Sequence, residues 1–538
     1  MTTPRYDWII IGSGFGGSVS ALRLVEKGYN VLLLEKGRRW QPRDFPKTNW
    51  DVPRWLWNPW LGLKGFFQMT FLRHVTVLHG VGVGGGSLVY ANTLPRPTDA
   101  FFGAPSWGPL ADWKQELEPH YQMASRMLGA ATNPKWTRGD EILGEIAAEM
   151  GRQDRHQATE VAIYFGEPGR EAEDPYFDGE GPPRTGCTYC GACMTGCRVG
   201  AKNTLDKNYL YLAEKRGLEL RAETEVTAVR PLRDGGYQVE TRPSLGGGSA
   251  EVLEAERVIF AGGVLGTIPL LLRLKEDPKG LPGLSARVGD FVRTNSEALF
   301  GAVTPNSRQE DFSRGVAITS ILHTDEHSHI EPVRYGKGSG FFRLLALPHA
   351  PGSNVVVRLA RTVLGFLRHP LLWMQAFLVR DFAKQSQILL YMRSLEGSLS
   401  LRLGRDWRRF FFRGAGTVLP KDQKPPQTFM PEASAILERF SEKVGGVPMS
   451  ILTETLLGVP TTAHILGGAC MGKDAAEGVI DHQHRVHGYA GLYVIDGSAM
   501  SANPGVNPSL TITAMAERAM TFIPPREGST TSTRARVA

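Results

Sequence analysis

The feature that most constrains this chain lies in its first 35 residues. Tyr6-Asp7-Trp8-Ile9-Ile10-Ile11 reads as a buried strand, Gly12-Ser13-Gly14-Phe15-Gly16-Gly17 as a tight turn, and Ser18 to about Lys27 as a helix. A second apolar run, Val31 to Leu34, ends at Glu35. Strand, G-x-G-x-x-G turn, helix, strand and acid within one βαβ unit describe a dinucleotide site. Gly12 makes the turn, Gly14 lets a pyrophosphate approach the backbone, and Gly17 lets helix and strand pack closely. Phe15 stands where the helix starts, and the unpaired N–H groups there face the phosphates. Glu35 takes the ribose hydroxyls, and an acid at that place argues against a 2′-phosphate.

Further glycine-rich segments indicate which dinucleotide. His79-Gly80-Val81-Gly82-Val83-Gly84-Gly85-Gly86-Ser87-Leu88-Val89 has almost no side-chain bulk, which suits backbone lying against a large flat ligand. Gly82, Gly84, Gly85 and Ser87 are its binding candidates, with a flexible linker as the alternative. Arg257 to Gly263 is another buried strand ending in glycines, followed by a helix from Thr267 to Lys275. Gly491-Leu492-Tyr493-Val494-Ile495-Asp496-Gly497-Ser498 is a strand ending in an acid, so Asp496 and Gly497 join the candidates. Gly505-Val506-Asn507-Pro508 then opens a helix running to about Ile523, with proline suited to the first turn. A helix N-terminus there would stabilise the negative charge that a reduced flavin carries around N1 and the C2 carbonyl. FAD is therefore the expected cofactor.

At 538 residues the chain exceeds one ordinary hydrophobic core. With 42% hydrophobic and 21% charged residues, it has the composition of a soluble globular protein. The expected class is α/β (α+β): a Rossmann-like FAD-binding domain built from discontinuous segments, beside a second domain that binds substrate. The net charge of +7 suits an anionic cofactor or membrane surface and is too diffuse for nucleic acid. Because Tyr6 to Ile11 already reads as buried strand, no leader is expected; no run of about 18 uncharged apolar residues suggests a membrane span. The expected location is the cytoplasm, with peripheral membrane association as an open addition.

These residues resemble the glucose-methanol-choline oxidoreductases from Asp7 to about Arg518. The motifs that carry the resemblance are GSGFGG, GVGVGGGSLV, VIFAGGVLGT, HILGGACMG and LYVIDGSAMSANPGVNPSLTITAMAERA. Within that family the chain looks most like the bacterial cholesterol oxidases with non-covalent FAD. The resemblance implies an FAD domain from about 1–100, 200–300 and 460–525, and a substrate domain of antiparallel sheet and helices over 301–459. Residues 101–199 remain as a helical segment with a cysteine-rich loop, and 526–538 as a disordered tail.

Moving hydride from an alcohol carbon to flavin N5 requires a group that takes the hydroxyl proton or its hydrogen bond. His464, in Ala463-His464-Ile465-Leu466-Gly467-Gly468, matches the family histidine; a lone histidine is otherwise more often structural. Asn507, at the start of the last helix, matches a second polar residue facing the flavin and could hydrogen-bond the substrate oxygen. Glu331, in Ser328-His329-Ile330-Glu331-Pro332-Val333, resembles the glutamate that shuttles a proton during Δ5 to Δ4 isomerisation. Its bland alternative is an edge-strand surface carboxylate. Inside an apolar cavity it would have a raised pKa.

One segment departs from the family. Cys187, Cys190, Cys193 and Cys197 stand at C-x2-C-x2-C-x3-C, the spacing of bacterial ferredoxins, although Arg198 replaces the usual proline. An iron–sulfur cluster is the expectation, with zinc or free thiols as alternatives. A cluster beside a flavin would pass single electrons to a carrier protein or quinone, making the chain a dehydrogenase rather than an oxidase. Cys470 is expected to serve packing.

Two stretches bear on the substrate. Trp50 to Phe71 holds Trp50, Trp55, Trp57, Trp60, Phe66, Phe67 and Phe71. Val355 to Met392 interleaves Arg358, Arg361, Arg368 and Arg380 with leucines and phenylalanines. Either can be lid packing or a surface that meets a bilayer and admits a lipid. Oxidation of a sterol-like alcohol, probed with a 3β-hydroxysteroid, is the first expectation and another lipophilic alcohol the second. An electron-transfer flavoprotein and a non-enzymatic lipid carrier both fit poorly with His464 and Asn507.

Overall fold

In a computed structural model of the chain, residues 5–305, 310–352, 354–395, 397–405, 413–421, 423, 426–427 and 429–528 are described. The first elements are β1 (Arg5–Ile11), α1 (Phe15–Glu26) and β2 (Val31–Leu34), then the antiparallel pair β3 (Phe67–Phe71) and β4 (Thr76–Gly80). Helices α2 (Trp113–Leu128) and α3 (Arg138–Glu149) precede β5 (His156–Ala158) and the cysteine loop. Next come β6 (Glu219–Arg221), β7 (Thr224–Pro231), β8 (Tyr237–Pro243), β9 (Glu251–Phe260) and α4 (Val264–Glu276). The central part carries β10 (Ala298–Val303), β11 (Ser320–His323), β12 (Ser328–Val333) and β13 (Ala346–Pro348). It continues through α5 (Val355–Arg368), α6 (Pro370–Phe377), β14 (Ser386–Arg393), α7 (Pro431–Lys443) and β15 (Val447–Ile451). The last elements are β16 (Thr461–Thr462), β17 (Leu492–Val494) and α8 (Ser509–Thr521).

The first sheet has the order β6-β2-β1-β9-β8-β7, and β17 pairs with the C-terminal part of β9. β6, β2, β1, β9 and β17 run parallel, whereas β8 and β7 form an antiparallel extension. Every residue of β2 is buried, as a parallel strand covered on both faces requires. Trp8, Ile9 and Ile10 are likewise without exposure, each contributing about 1.5–3 kcal/mol of burial. Helix α8 packs on both α1 and α2. A buried ion pair, Arg23 Nε to Glu517 Oε2 at 2.8 Å, ties α1 to α8, and Tyr209 Oη donates to Glu517 Oε1 at 2.6 Å.

The second sheet, β13-β15-β10-β14-β12-β11-β5, is antiparallel throughout. Period-2 alternation gives it two different faces. Phe300, Leu389 and Tyr391 pack with Ile142 and Ile146 of α3 and Leu437 and Phe440 of α7. Leu299, Gly301, Ile388 and Leu390 turn the other way, toward a cavity between the two sheets. Residues 101–199 therefore supply both layers: α2 lies on α8, while α3 and β5 belong with the second sheet. Of the tail expected from 526 onward, 529–538 lie outside the described residues; Arg526 N donates to Lys27 O at 3.0 Å.

Candidate active site

The cavity measures about 500 Å³ and reaches from the Gly12–Gly16 turn to the mouth of the second sheet. Gly12 has φ +104°, and a Cβ there would lie 2.4 Å from Ala261 O on the end of β9. A Cβ on Gly17 would lie 2.0 Å from Gly12 O, and one on Gly16 1.8 Å from Ile495 O just after β17. The turn is thus pressed against two strand ends that only glycine backbone can meet. Gly14, by contrast, has nothing closer than 4.0 Å, and with Phe15 it lines the cavity where α1 begins without a side-chain cap. Glu35 sits beside it, accepting from Ser13 N at 3.1 Å, Ser13 Oγ at 2.7 Å and Gly37 N at 2.8 Å.

The second glycine loop divides. Gly85 and Gly86 line the cavity, and a Cβ on Gly85 would lie 2.7 Å from Gly14 Cα. Gly82, Gly84 and Ser87, expected to contact the cofactor, are placed behind that wall. Gly82 lies against Arg38 O and Leu88, while Ser87 Oγ donates to Gly84 O at 2.7 Å and accepts from Leu205 N at 3.1 Å. They hold the loop's shape: Gly82 and Gly84 take φ +146° and +101°, and Gly84 N donates to Ser13 Oγ at 3.1 Å. Asp496 and Gly497 line the cavity from the far side. The Asp496 carboxylate accepts from Gly263 N at 2.8 Å, Thr267 Oγ1 at 2.6 Å and Ser498 N at 2.8 Å, and its burial pushes its pKa up. Two helix N-termini, of α1 and α8, and three glycine-lined walls therefore open on one space. This backbone cradle fits a dinucleotide whose phosphates approach main chain. Gly12→Ala is expected to cost about 1–3 kcal/mol and to yield protein with little bound flavin, measured by its visible absorbance relative to protein.

At the other end the polar residues converge. β16 pairs in parallel with β4, which fixes the start of the 463–468 stretch against the cavity wall. His464 Nδ1 lies 2.9 Å from Glu297 Oε1, and its Nε2 lies 3.4 Å from Asn507 Nδ2. Glu297, just before β10, is fully enclosed and also accepts from Thr462 Oγ1 at 2.5 Å and Ala463 N at 3.1 Å. A carboxylate on Nδ1 keeps the ring proton there and leaves the Nε2 lone pair toward Asn507 and the cavity. Asn507 precedes α8 and has a buried Oδ1 without a partner in the protein.

Glu331 is neither on an edge strand nor at the surface. β12 runs between β11 and β14, and all six of its residues are buried. Both Glu331 oxygens lack a hydrogen-bond partner, and His329 Nε2 stands 3.7 Å away. Burial pushes Glu331 up to about 8, with the Asn507 side chain opposing and the Glu297 charge adding to the rise. The same burial holds His329 down at about 3, so both groups are neutral at pH 7. Glu331 is absent from the cavity lining, whereas Asn507, whose side chain is near enough to lower the Glu331 pKa, is part of it.

The four clustered cysteines do not assemble the expected donor set. Among the described residues, no group of three or more His, Cys, Asp or Glu is disposed to hold a metal ion. Cys187 and Cys193 are buried in a small apolar cluster with Val161, Ile163 and Val316, whereas Cys190 is exposed and Cys197 half-buried. Gly191 N donates to Gly315 O and Gly315 N to Tyr189 O, each at 2.9 Å, which ties residues 189–191 to the neighbouring backbone ahead of a short 3-10 turn over Cys193–Thr195. Burial raises the pKa of the Cys187 and Cys193 thiols. Cys470 is buried and receives Arg293 Nη1 at 3.4 Å.

A glycine-built dinucleotide cradle and a histidine–carboxylate pair facing one cavity define a dinucleotide-dependent oxidoreductase. Comparison with known proteins makes this particular: residues 182–274 and 411–516 match the GMC oxidoreductase family, and 10–40 match an NAD(P)-binding Rossmann-like domain. The chain is 44% identical to a cholesterol oxidase of Acinetobacter baumannii, covering 97% of this chain and 95% of that one. It is also 44% identical to a cholesterol oxidase of Mycobacterium tuberculosis, over 97% and 91%. A 2-methyl-1,2-propanediol dehydrogenase of Mycolicibacterium austroafricanum is 23% identical over 98% and 97%. A crystal structure of a pyridoxine 4-oxidase shares the fold, with a TM-score of 0.59, 14% identity, and coverage of 96% and 99%. The chain belongs to the glucose-methanol-choline oxidoreductase family, and it is an FAD-dependent alcohol oxidoreductase.

Proposed function

We propose that the protein oxidises the 3β-hydroxyl of a sterol-like alcohol and then isomerises the product. The observation that carries this reading is the 44% identity to cholesterol oxidases along nearly the whole chain, joined to His464 and Glu297 at the cavity. The Gly12–Gly16 turn, Glu35, Gly85 and the start of α8 would hold FAD, which when bound would supply the hydride acceptor. His464 Nε2 takes the hydroxyl proton, and Glu297 steadies the imidazolium that results. The Asn507 amide holds the substrate oxygen in line with Nε2. Glu331, whose ionised fraction grows as the pH approaches 8, would in its carboxylate form take the proton from the ring carbon between the new ketone and the double bond, and the carboxyl so formed would return it at the far carbon of that double bond.

The test is anaerobic: a 3β-hydroxysteroid should bleach the oxidised flavin bands, and admitting air afterwards should consume oxygen. Bleaching by aliphatic long-chain alcohols alone would overturn the sterol assignment. Glu331→Gln should leave the first oxidation intact and let the unisomerised 3-keto-Δ5 product accumulate, seen by the missing conjugated-enone absorbance. The same variant should change stability with a definite sign. A carboxyl whose folded pKa of about 8 exceeds its unfolded value near 4.5 binds more protons when folded. Its contribution is thus fully present below about pH 4.5 and is lost as pH rises toward 8. Glu331→Gln removes that loss, so its melting temperature should gain on the wild type between pH 5 and pH 8.

A further inference from the structure

The face of β12 that looks toward the cavity carries more than Glu331. Successive residues of a strand alternate sides, so His329, Glu331 and Val333 share one face at steps of about 7 Å. Val333 lines the cavity. His323 of β11 stands directly opposite His329 in the antiparallel register and so joins the same face, with the ring centres 5.6 Å apart. A carboxyl and two imidazoles therefore form one row, leading from the active site to the end of β11, where His323 is half-buried. Leu390 and Met392 of β14 stand opposite Glu331 and His329 on the other side, which gives the row an apolar flank.

A packing role does not account for this row. His329 Nε2 and both Glu331 oxygens are buried without a hydrogen-bond partner, an arrangement that costs stability and that leucine at either place would avoid. The 3.7 Å between His329 Nε2 and Glu331 Oε1 exceeds a hydrogen bond. With neither atom otherwise engaged, a small side-chain rotation closes that gap. The other titratable and polar groups that act on the row are few: Glu297 and the Asn507 amide at Glu331, His464 at His329, and Arg155 and Asp325 at His323.

We propose that His329 and His323 carry protons between Glu331 and solvent, so that a carboxyl sealed inside the protein can change its ionisation state. The need arises because Glu331, held neutral by burial, must shed a proton before it can act as a carboxylate base. The Glu331 carboxyl gives its proton to His329 Nε2. The imidazolium so formed releases the proton of its other ring nitrogen to His323, directly or over one water, and His323 passes a proton on to solvent. Glu331 is left as the carboxylate, and a proton returning by the same route restores both rings. Burial holds His329 down at about 3, so its charged form is a passing species and adds no resting charge to the interior. Use of the path in isomerisation rests on the reaction proposed above; the path itself rests on the strand register.

Infrared spectra of the resting holoenzyme at pH 6 test the path without any steroid. The band of the protonated Glu331 carboxyl, identified by its loss in Glu331→Gln, should shift to its deuterated position within seconds of transfer into D2O. In His329→Leu the shift should be slower by a factor of about 10² or more, the scale of one missing proton carrier. Should that variant fail to fold, His323→Phe should slow the shift similarly, whereas His323→Glu, which also carries protons, should keep it fast. A structural defect loosens the interior and hastens exchange, so slowing is specific to the path. A wild-type band that stays protonated overturns the proposal, as do variants that exchange as fast as the wild type. Steroid turnover in D2O gives a second readout. The conjugated ketone made by His329→Leu should carry several-fold less deuterium at the far carbon of the former double bond than that made by the wild type. Equal labelling removes the path from the reaction. If no conjugated ketone forms at all, the isomerisation reading fails, and the infrared exchange still decides the path.

Discussion

His464→Ala should keep its FAD and lose turnover by a factor of about 10² or more, the usual scale for one acid–base group. His464 pairs a carboxylate on one ring nitrogen with an Nε2 lone pair turned toward Asn507 and the cavity. Its removal touches none of the glycine contacts that build the cradle, so the flavin spectrum should survive. Stopped-flow reduction by substrate should slow by the same factor as steady-state turnover. If the two separate, the histidine acts in reoxidation, and proton abstraction must be reassigned. Near-normal turnover would remove it from the mechanism and reopen the roles of Asn507 and Glu331.

Glu297→Gln is the more diagnostic change. The glutamine amide can donate to Nδ1, which drives the ring proton to Nε2 and turns the base into a donor. A wrong tautomer in a comparable histidine–carboxylate pair of another enzyme class costs about 10⁴. Here, with Asn507 still in place, a loss of about 10² to 10³ in kcat with little change in KM is expected. Glu297→Asp should recover part of it, because the shorter acid can still accept from Nδ1. The pH profile separates positioning from mere packing. The variant's rate should depend on pH differently from the wild type, whereas a structural defect lowers the whole curve evenly.

The dinucleotide turn was legible because all its parts fall within one local unit, and each glycine there has a contact that a Cβ would break. Glu297 was not legible. It is 167 residues from His464, in a Thr-Asn-Ser-Glu run without periodicity, and the two segments meet through the antiparallel bridge between Arg293 and Leu466. Glu331 was read from a short fragment as an extended residue with an edge alternative. Pairing on both sides of β12 is a long-range property that no single strand announces. The role of the clustered cysteines was not legible for a related reason. Spacing counts residues, but the direction of a loop depends on its partners, here the backbone of 313–315. The second glycine loop was half legible: its lack of bulk marks a close approach without saying which residues face ligand and which face protein.

Gly16 packs so closely on the backbone of Ile495 that a Cβ there would lie 1.8 Å from Ile495 O, though 479 positions separate the two. One flank of the cofactor cradle is thus made by a segment that leaves the ribosome long before the segment that makes the other. A growing polypeptide has the fingerprint turn well before it has β17, Asp496 and the α8 N-terminus. Full enclosure of the flavin therefore waits for those later segments.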